Sequence, residues 1–452
     1  MNWRWSRLSS RARSAWLLAL FLVATFAPLV APLSSQPASR IALTAALAEH
    51  HTVDIRGYPL GIDRATYNGH LRSDKAPGQP LLAVPVYLVG RALGAQSAAT
   101  LRINGNLGVW WTTLWTAFVP FVVLVALMYL IASRHASRAP ALAAAFGIGV
   151  CTMMLPHAVN LYGAPLAALA AYAAWAVLEP GSTSATRCLV AGALAGVSVV
   201  AEYETVVVLV VLLVVAARRA RWRACWYALG AAGPLLVLAG YQWAAFGEPW
   251  RTPHAYYATA AVRRQIVGYV RPGWRGIDAT IFGSHGLLLT NVIVVIALVA
   301  AALCTRSPDV QVRRHAVIAL AIGAPYIVLC ILWKGTPVLE EPGPRYMIPA
   351  LPFLAVPLAS EWGRLRRIAL LGMGLSGVVA VGAATTGILT SSKQAVLPAM
   401  VHRIVHRQFL PTVWSITFGR FGTVVYLATV ALVVVALVRG WTRERARQLP
   451  EG

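Results

Sequence analysis

Twelve apolar runs divide this chain, at about 14–33, 111–133, 139–156, 161–179, 187–201, 203–217, 224–245, 286–304, 316–333, 346–360, 368–390 and 421–438. A run of about 20 apolar residues crosses a bilayer as a helix, and in lipid the backbone must satisfy its own hydrogen bonds. The expected fold is an all-α polytopic membrane protein of about 12 transmembrane helices, with residues 1–452 forming a single transmembrane domain. The composition agrees. Apolar and aromatic residues make up 58% of the chain and charged residues only 12%, about half the charge a soluble domain carries. That excludes a disordered chain, a secreted disulfide scaffold and an ordinary soluble enzyme. Cys151, Cys188, Cys225, Cys304 and Cys330 lie in or beside apolar runs with no Cys-x-x-Cys pair, so neither a disulfide framework nor a zinc site is indicated.

The N-terminus carries Arg4, Arg7, Arg11 and Arg13 before the first run. The run is too long for a signal peptide and lacks a convincing cleavage site, so it reads as a first span with the N-terminus inside. Twelve spans then put both termini in the cytoplasm, in a plasma (inner) membrane. The net charge is +24. In an apolar chain such an excess marks cytoplasmic helix ends rather than a nucleic-acid partner. Of the 39 Lys and Arg residues, 21 fall in the short inside segments, including Arg218-Arg219-Ala220-Arg221-Trp222-Arg223 and Arg364-Leu365-Arg366-Arg367. Ten of the 15 acidic residues fall outside. The long outer loops, about 35–110, 246–285, 334–345 and 391–420, contain Trp, Tyr, Arg, Asp and His. Loops of that length are functional or disordered, and this composition favours folded ones. The active face is expected outside, with short interfacial helices over 40–49 and 81–96.

The first outer loop holds Asp54 and, beyond it, Asp74-Lys75-Ala76-Pro77-Gly78-Gln79-Pro80. A carboxylate and an ammonium side by side above the bilayer suit a sugar hydroxyl, a metal or a lipid phosphate; a solvated surface pair is the plain alternative. His157 sits between two spans at the outer face, where a helix cap is its bland role. Glu202 and Glu204 flank Tyr203 between two short spans, and acids near membrane depth are kept mostly where they face a cavity or a partner. The most distinctive stretch is Glu340-Glu341-Pro342-Gly343-Pro344-Arg345-Tyr346-Met347-Ile348-Pro349-Ala350-Leu351-Pro352. Its prolines restrict the backbone and place Arg345 where a helix should start. The guanidinium fork there suits phosphate, with snorkelling to headgroups as the alternative. Loop 246–275 is basic and aromatic, as for an anionic lipid or a polyprenyl phosphate.

At these residues the sequence resembles the GT-C superfamily of polyprenyl-phosphate-sugar-dependent glycosyltransferases, in particular the protein mannosyltransferase and aminoarabinose transferase family. Ser73-Asp74-Lys75-Ala76-Pro77-Gly78 is similar to that family's Asp-Lys-Pro-Pro segment. The Glu202-Tyr203 turn falls where the family often has Thr-Lys-Gly-Pro. Arg345-Tyr346-Met347-Ile348-Pro349-Ala350-Leu351-Pro352 is similar to its Arg-Tyr-Leu-x-Pro-x-x-Pro. The three landmarks come in order across residues 1–390. The family's acid just after the first helix is missing: that place reads Ser34-Ser35-Gln36-Pro37-Ala38-Ser39-Arg40.

The resemblance implies sugar transfer from a polyprenyl-phosphate carrier to a glycan, lipid or protein acceptor at the outer face, among membrane lipids. Asp54 or Asp74 would be the catalytic base. Lys75, Arg345 and Tyr346 would bind the donor phosphate. His157, Glu202, Tyr203 and Glu341 would line the sugar and acceptor pocket. Some relatives use a divalent metal, although no ligand spacing here demands a cofactor. Two rivals stay open: a secondary transporter or lipid flippase, and an inactive GT-C-like scaffold, which the missing acid favours. Transporters gather polar groups at mid-membrane; here they collect on one face.

Overall fold

In the computed structural model, the described residues are 9–446 except 59–60, 62, 101–105, 180–183, 258, 261–262, 265–266, 335–340 and 388–394. Helices dominate. In chain order they are α1 (Ser10–Phe26), α2 (Ser35–His50), α3 (Gly78–Ala92), α4 (Leu107–His135), α5 (Arg138–Val150), α6 (Met154–Ala158), α7 (Ala164–Leu178), α8 (Ala185–Ala201), α9 (Val206–Ala220), α10 (Ala224–Phe246), α11 (Val292–Cys304), α12 (Val310–Leu332), α13 (Ala355–Ser360), α14 (Trp362–Thr386), α15 (Val396–Val405) and α16 (Val413–Ala446).

Every expected apolar run carries helix. The starts are set by side-chain caps: Ser9 accepts from the Ala12 N–H, Asn106 from Val109, Ser184 from Arg187 and Asp309 from Gln311 and Val312. Gly247 and Gly387, both left-handed, end α10 and α14. On length and hydropathy α4, α10, α12, α14 and α16 can each cross a membrane. A sixth crossing is added if Trp274–Thr290 and α11, bent by 98° at their junction, form one broken span. The twelve expected spans include apolar helices of only 10–17 residues, among them α5, α7 and α8.

The closest packing is between α8 and α10. Gly192 lies against the Tyr227 carbonyl, Gly230 against the Leu189 carbonyl and Gly196 against Ala231, the small-residue contact by which membrane helices approach. A core of Ala, Val, Leu and buried aromatics, including Trp175, Tyr172, Tyr129 and Tyr326, fills the space between α4, α5, α7, α11, α12 and α13.

Two expectations change. The segment expected to lie flat on the membrane, within 40–49, belongs to α2, in which Pro37 to Ala46 are all buried. Its hydroxyls and its arginine are consumed inside the protein, so it has no need of the membrane surface. The helix expected to begin at Arg345 starts instead as a ten-residue 3₁₀ segment, Arg345–Leu354. Pro349 and Pro352 lack the N–H groups an α-helix would use there, and α-helix resumes only at Ala355. Between α2 and α3 the chain makes an antiparallel hairpin, β1 (Arg64–Tyr67) and β2 (His70–Ser73). Its turn is Asn68-Gly69, both with positive φ, the pairing a tight hairpin requires.

Candidate active site

The first two turns of α2 are the hub of a polar cluster. The Ser35 hydroxyl accepts from the Asp63 N–H at 3.0 Å. The Gln36 amide oxygen, assigned to the side that hydrogen bonding demands, accepts from the Arg345 guanidinium. Ser39 bonds Ser73 at 2.9 Å and donates to Asp74 at 3.4 Å. Arg40, 2% exposed, donates to Glu202 at 2.5 Å. Residues i and i+4 of a helix share a face, so 35 with 39 and 36 with 40 gather four distant segments around one surface.

Lys75 follows the hairpin directly. Its ammonium lies 3.0 Å from Asp63 Oδ1 and 2.9 Å from Asp74 Oδ2. The same Asp74 oxygen accepts from the Tyr257 hydroxyl at 2.6 Å. Burial pushes the Asp74 carboxyl up, and the Asp63 charge adds to this against the pull of Lys75. Asp63 goes the other way: Lys75, Ser35 and Arg345 outweigh its own desolvation and hold it below the usual carboxylate range. Lys75 is buried but pushed up by the two aspartates. The charge of Arg345 is felt at both Asp63 and Lys75, which places the two cations around one site.

Arg345 pairs with Glu341 and leans over the Tyr346 ring, 5.2 Å from its centroid. Glu341 also faces His157 Nε2 at 3.3 Å, while His157 Nδ1 donates to the Met153 carbonyl at 2.7 Å. Asn291, at the bend before α11, accepts from the Met153 N–H and donates to the Pro342 carbonyl, stapling the two segments together. Beside it Gly343 has φ +122, and a side chain there would strike Asn291. Tyr203 accepts from Gln242 at 2.8 Å. The rings of Tyr203, His254, Trp333 and Tyr346 run edge to face into a wall beside the cations.

Eight of the nine sequence-derived site residues therefore meet: Asp74, Lys75, His157, Glu202, Tyr203, Glu341, Arg345 and Tyr346. Asp54 does not. It accepts from Arg56 Nε at 2.7 Å and pairs with His70 at 2.7 Å, closing residues 54–56 onto the hairpin. Three members were missed by the sequence reading, Gln36, Arg40 and Asp63, while Tyr257 comes from the basic and aromatic loop 246–275 read as a place for an anionic lipid or a polyprenyl phosphate. Asp63 carried a usable signal, standing immediately before a strand that ends in an Asn-Gly turn and returns to Asp74-Lys75. Gln36 and Arg40 lay in the stretch set aside for lacking an acid.

Among the described residues, one group brings three metal-ligating atoms within 4.8 Å of one another: His135, Glu179 and His315, at the opposite end of the helices. The Trp175 indole N–H donates to His315 Nδ1 at 3.2 Å. That leaves the proton on Nε2, facing Glu179 at 3.1 Å. With that lone pair absent and Arg134 on the other carboxylate oxygen at 2.8 Å, the group is a hydrogen-bonded clasp and a poor metal site.

No family model matches the sequence, and no curated protein matches it. Solved structures do match. ArnT from Cupriavidus metallidurans, bound to undecaprenyl phosphate, superposes with a TM-score of 0.52 at 15% identity, over 93% of this chain and 76% of that one. This chain shares the fold of that structure. The Archaeoglobus fulgidus oligosaccharyltransferase tethered to an acceptor peptide gives 0.51 at 12% identity, over 95% of this chain. Its AglB complex with an inhibitory peptide and a dolichol-phosphate gives 0.50. The chain spans 56% of the length of that archaeal protein. The sequence landmarks that suggested GT-C are the same segments that converge on the polar cluster.

Proposed function

We propose that this chain is a GT-C glycosyltransferase that moves a sugar from a polyprenyl-phosphate carrier to an envelope acceptor on the outer face of the plasma membrane, with both termini cytoplasmic. The observation that carries it is the convergence on the first turn of α2 of two segments far apart in sequence: Asp63, which holds Lys75 and bonds Ser35, and Arg345, which bonds Gln36. In the solved relatives, ArnT binds undecaprenyl phosphate and AglB a dolichol-phosphate.

In this reading Arg345 and Lys75 hold the donor phosphate. Both are fixed in place by carboxylates before the donor arrives, so little reorganisation is needed as charge grows on the leaving oxygen. Asp63 takes the proton of the acceptor hydroxyl, whose oxygen forms the new bond to the anomeric carbon. The bond from that carbon to the phosphate oxygen breaks, and the carrier departs as polyprenyl phosphate. Asp63 suits this role better than Asp74: its side chain is 12% exposed against 1%, and Asp74 is enclosed by Ser39, Lys75 and Tyr257. Asp63 thus supplies, from later in the loop, the acid absent just after α1.

The test uses the purified chain in liposomes with a polyprenyl-phosphate sugar donor. Arg345→Ala and Asp63→Asn should each lower transfer at least a hundredfold at unchanged protein yield, whereas Asp54→Asn should keep it within a few-fold. Full transfer by both Arg345→Ala and Asp63→Asn rejects the assignment.

A further inference from the structure

A groove lies between α1, α5 and α14, at the end of the molecule away from the polar cluster. Leu18, Pro140, Leu142, Phe146 and Leu370 form most of its wall, with Trp362 and Arg366 at its rim, and its volume is about 730 Å³. It is a groove open along the surface, not an enclosed cavity. Its shape has local causes. Ala139, Ala143 and Gly363 leave the facing helices without bulk, and nothing lies within 4 Å of where a Gly363 side chain would be. One turn deeper the helices close, Gly147 against Met373 and Phe146 against Phe21. The result is a wedge, open at the helix ends and sealed towards the middle.

The wall offers almost no polar group. Arg366, at the mouth, makes no hydrogen bond or ion pair among the described residues and is exposed, as are its neighbours Arg364 and Arg367. α14 is a membrane-crossing candidate that starts at Trp362, so Arg366 and the indole stand at headgroup depth and the wedge runs into the acyl layer. A peptide would find no hydrogen-bonding partners on such a wall. A chain of methylenes needs none, and the uncompensated guanidinium at the mouth calls for an anion.

We infer that this groove is a binding site for one anionic glycerophospholipid of the adjoining leaflet, an acyl chain lying in the wedge and the phosphate on Arg366. The site has a position from which it could matter: α5 leads through α6 to His157, and the segment before α14 carries Arg345. A lipid there braces, about 20 Å away along α5, the two helices whose neighbours carry these residues.

The experiment delipidates the full purified chain in a neutral detergent and titrates it with phosphatidylglycerol or phosphatidylcholine, counting bound lipid by native mass spectrometry. The expected result is one phosphatidylglycerol per chain, held at least tenfold more tightly than phosphatidylcholine. Arg366→Ala should erase that preference, Arg367→Ala, outside the groove lining, should keep it, and Ala139→Trp, which fills the wedge, should remove the bound lipid. Equal retention of the two lipids by the unaltered chain overturns the inference. So does a preference that survives Arg366→Ala, or a lipid still bound after Ala139→Trp.

Discussion

Glu341 shows how little of a charged residue's role can be seen from its neighbours in sequence. It stands among prolines, yet its two oxygens face Arg345 and His157, from segments nearly 200 positions apart. Burial alone would raise its pKa; Arg345 first and then His157 overcome that and hold it at about 2, against an ordinary 4.5. A carboxylate depressed in the folded state stabilises it above the unfolded value, and that contribution fades as the pH falls from about 4.5 towards about 2. The thermal stability of the detergent-solubilised chain should decline through that window, and Glu341→Gln should flatten this part of the profile. At neutral pH the same substitution leaves the Arg345 cation short of its counter-ion and should cost about 3–5 kcal/mol. A melting temperature unchanged at neutral pH would contradict the pairing. The sequence marked both residues as candidates but could not say that one exists to hold the other.

At the scale of elements, the sequence was legible wherever a local rule applies. Ser184 and Asp309 mark helix starts, Gly247 and Gly387 mark helix ends, and Asn68-Gly69 marks a hairpin, each because the backbone there needs that residue type. What the local rules misjudged is α2, whose periodicity suggested a surface helix and whose side chains are instead enclosed. Periodicity reports that a helix has faces; it does not report what covers them. The α8–α10 contact is similar. Gly192, Gly196 and Gly230 are unremarkable in the sequence, and only the packed pair shows carbonyls of the facing helix at their Cα atoms. Gly192→Ala must separate the helices and should cost about 1–3 kcal/mol or more. Gly233→Ala, with open space around it, should cost nothing and provides the control in the same thermal-unfolding measurement.

For the whole molecule, the decisive property is sidedness. The basic segments and the polar cluster occupy opposite ends of the helices, which orients the chain if cytoplasmic loops hold the excess of Lys and Arg. In a background with Cys225 replaced by Ser, Arg56→Cys and Arg407→Cys should react with a membrane-impermeant maleimide in intact cells. Arg221→Cys and Arg306→Cys should react only after permeabilisation. The reverse pattern would put the proposed active site on the cytoplasmic side and exclude an outer-leaflet carrier.

The sequence by itself determined the class of the molecule, the positions of its helices and most members of the polar cluster. Those follow from hydropathy, capping and backbone restriction, all of which act over a few residues. The tertiary structure alone decided that Arg40 stands against Glu202 and that Glu341 is held between Arg345 and His157. It also showed that the acid-free stretch 34–40 is the centre on which the cluster is assembled. The reason is physical: a charge buried far from water is held by whatever opposite charge folding brings within a few ångströms, and that partner is fixed by packing between helices, with no trace in the residues alongside.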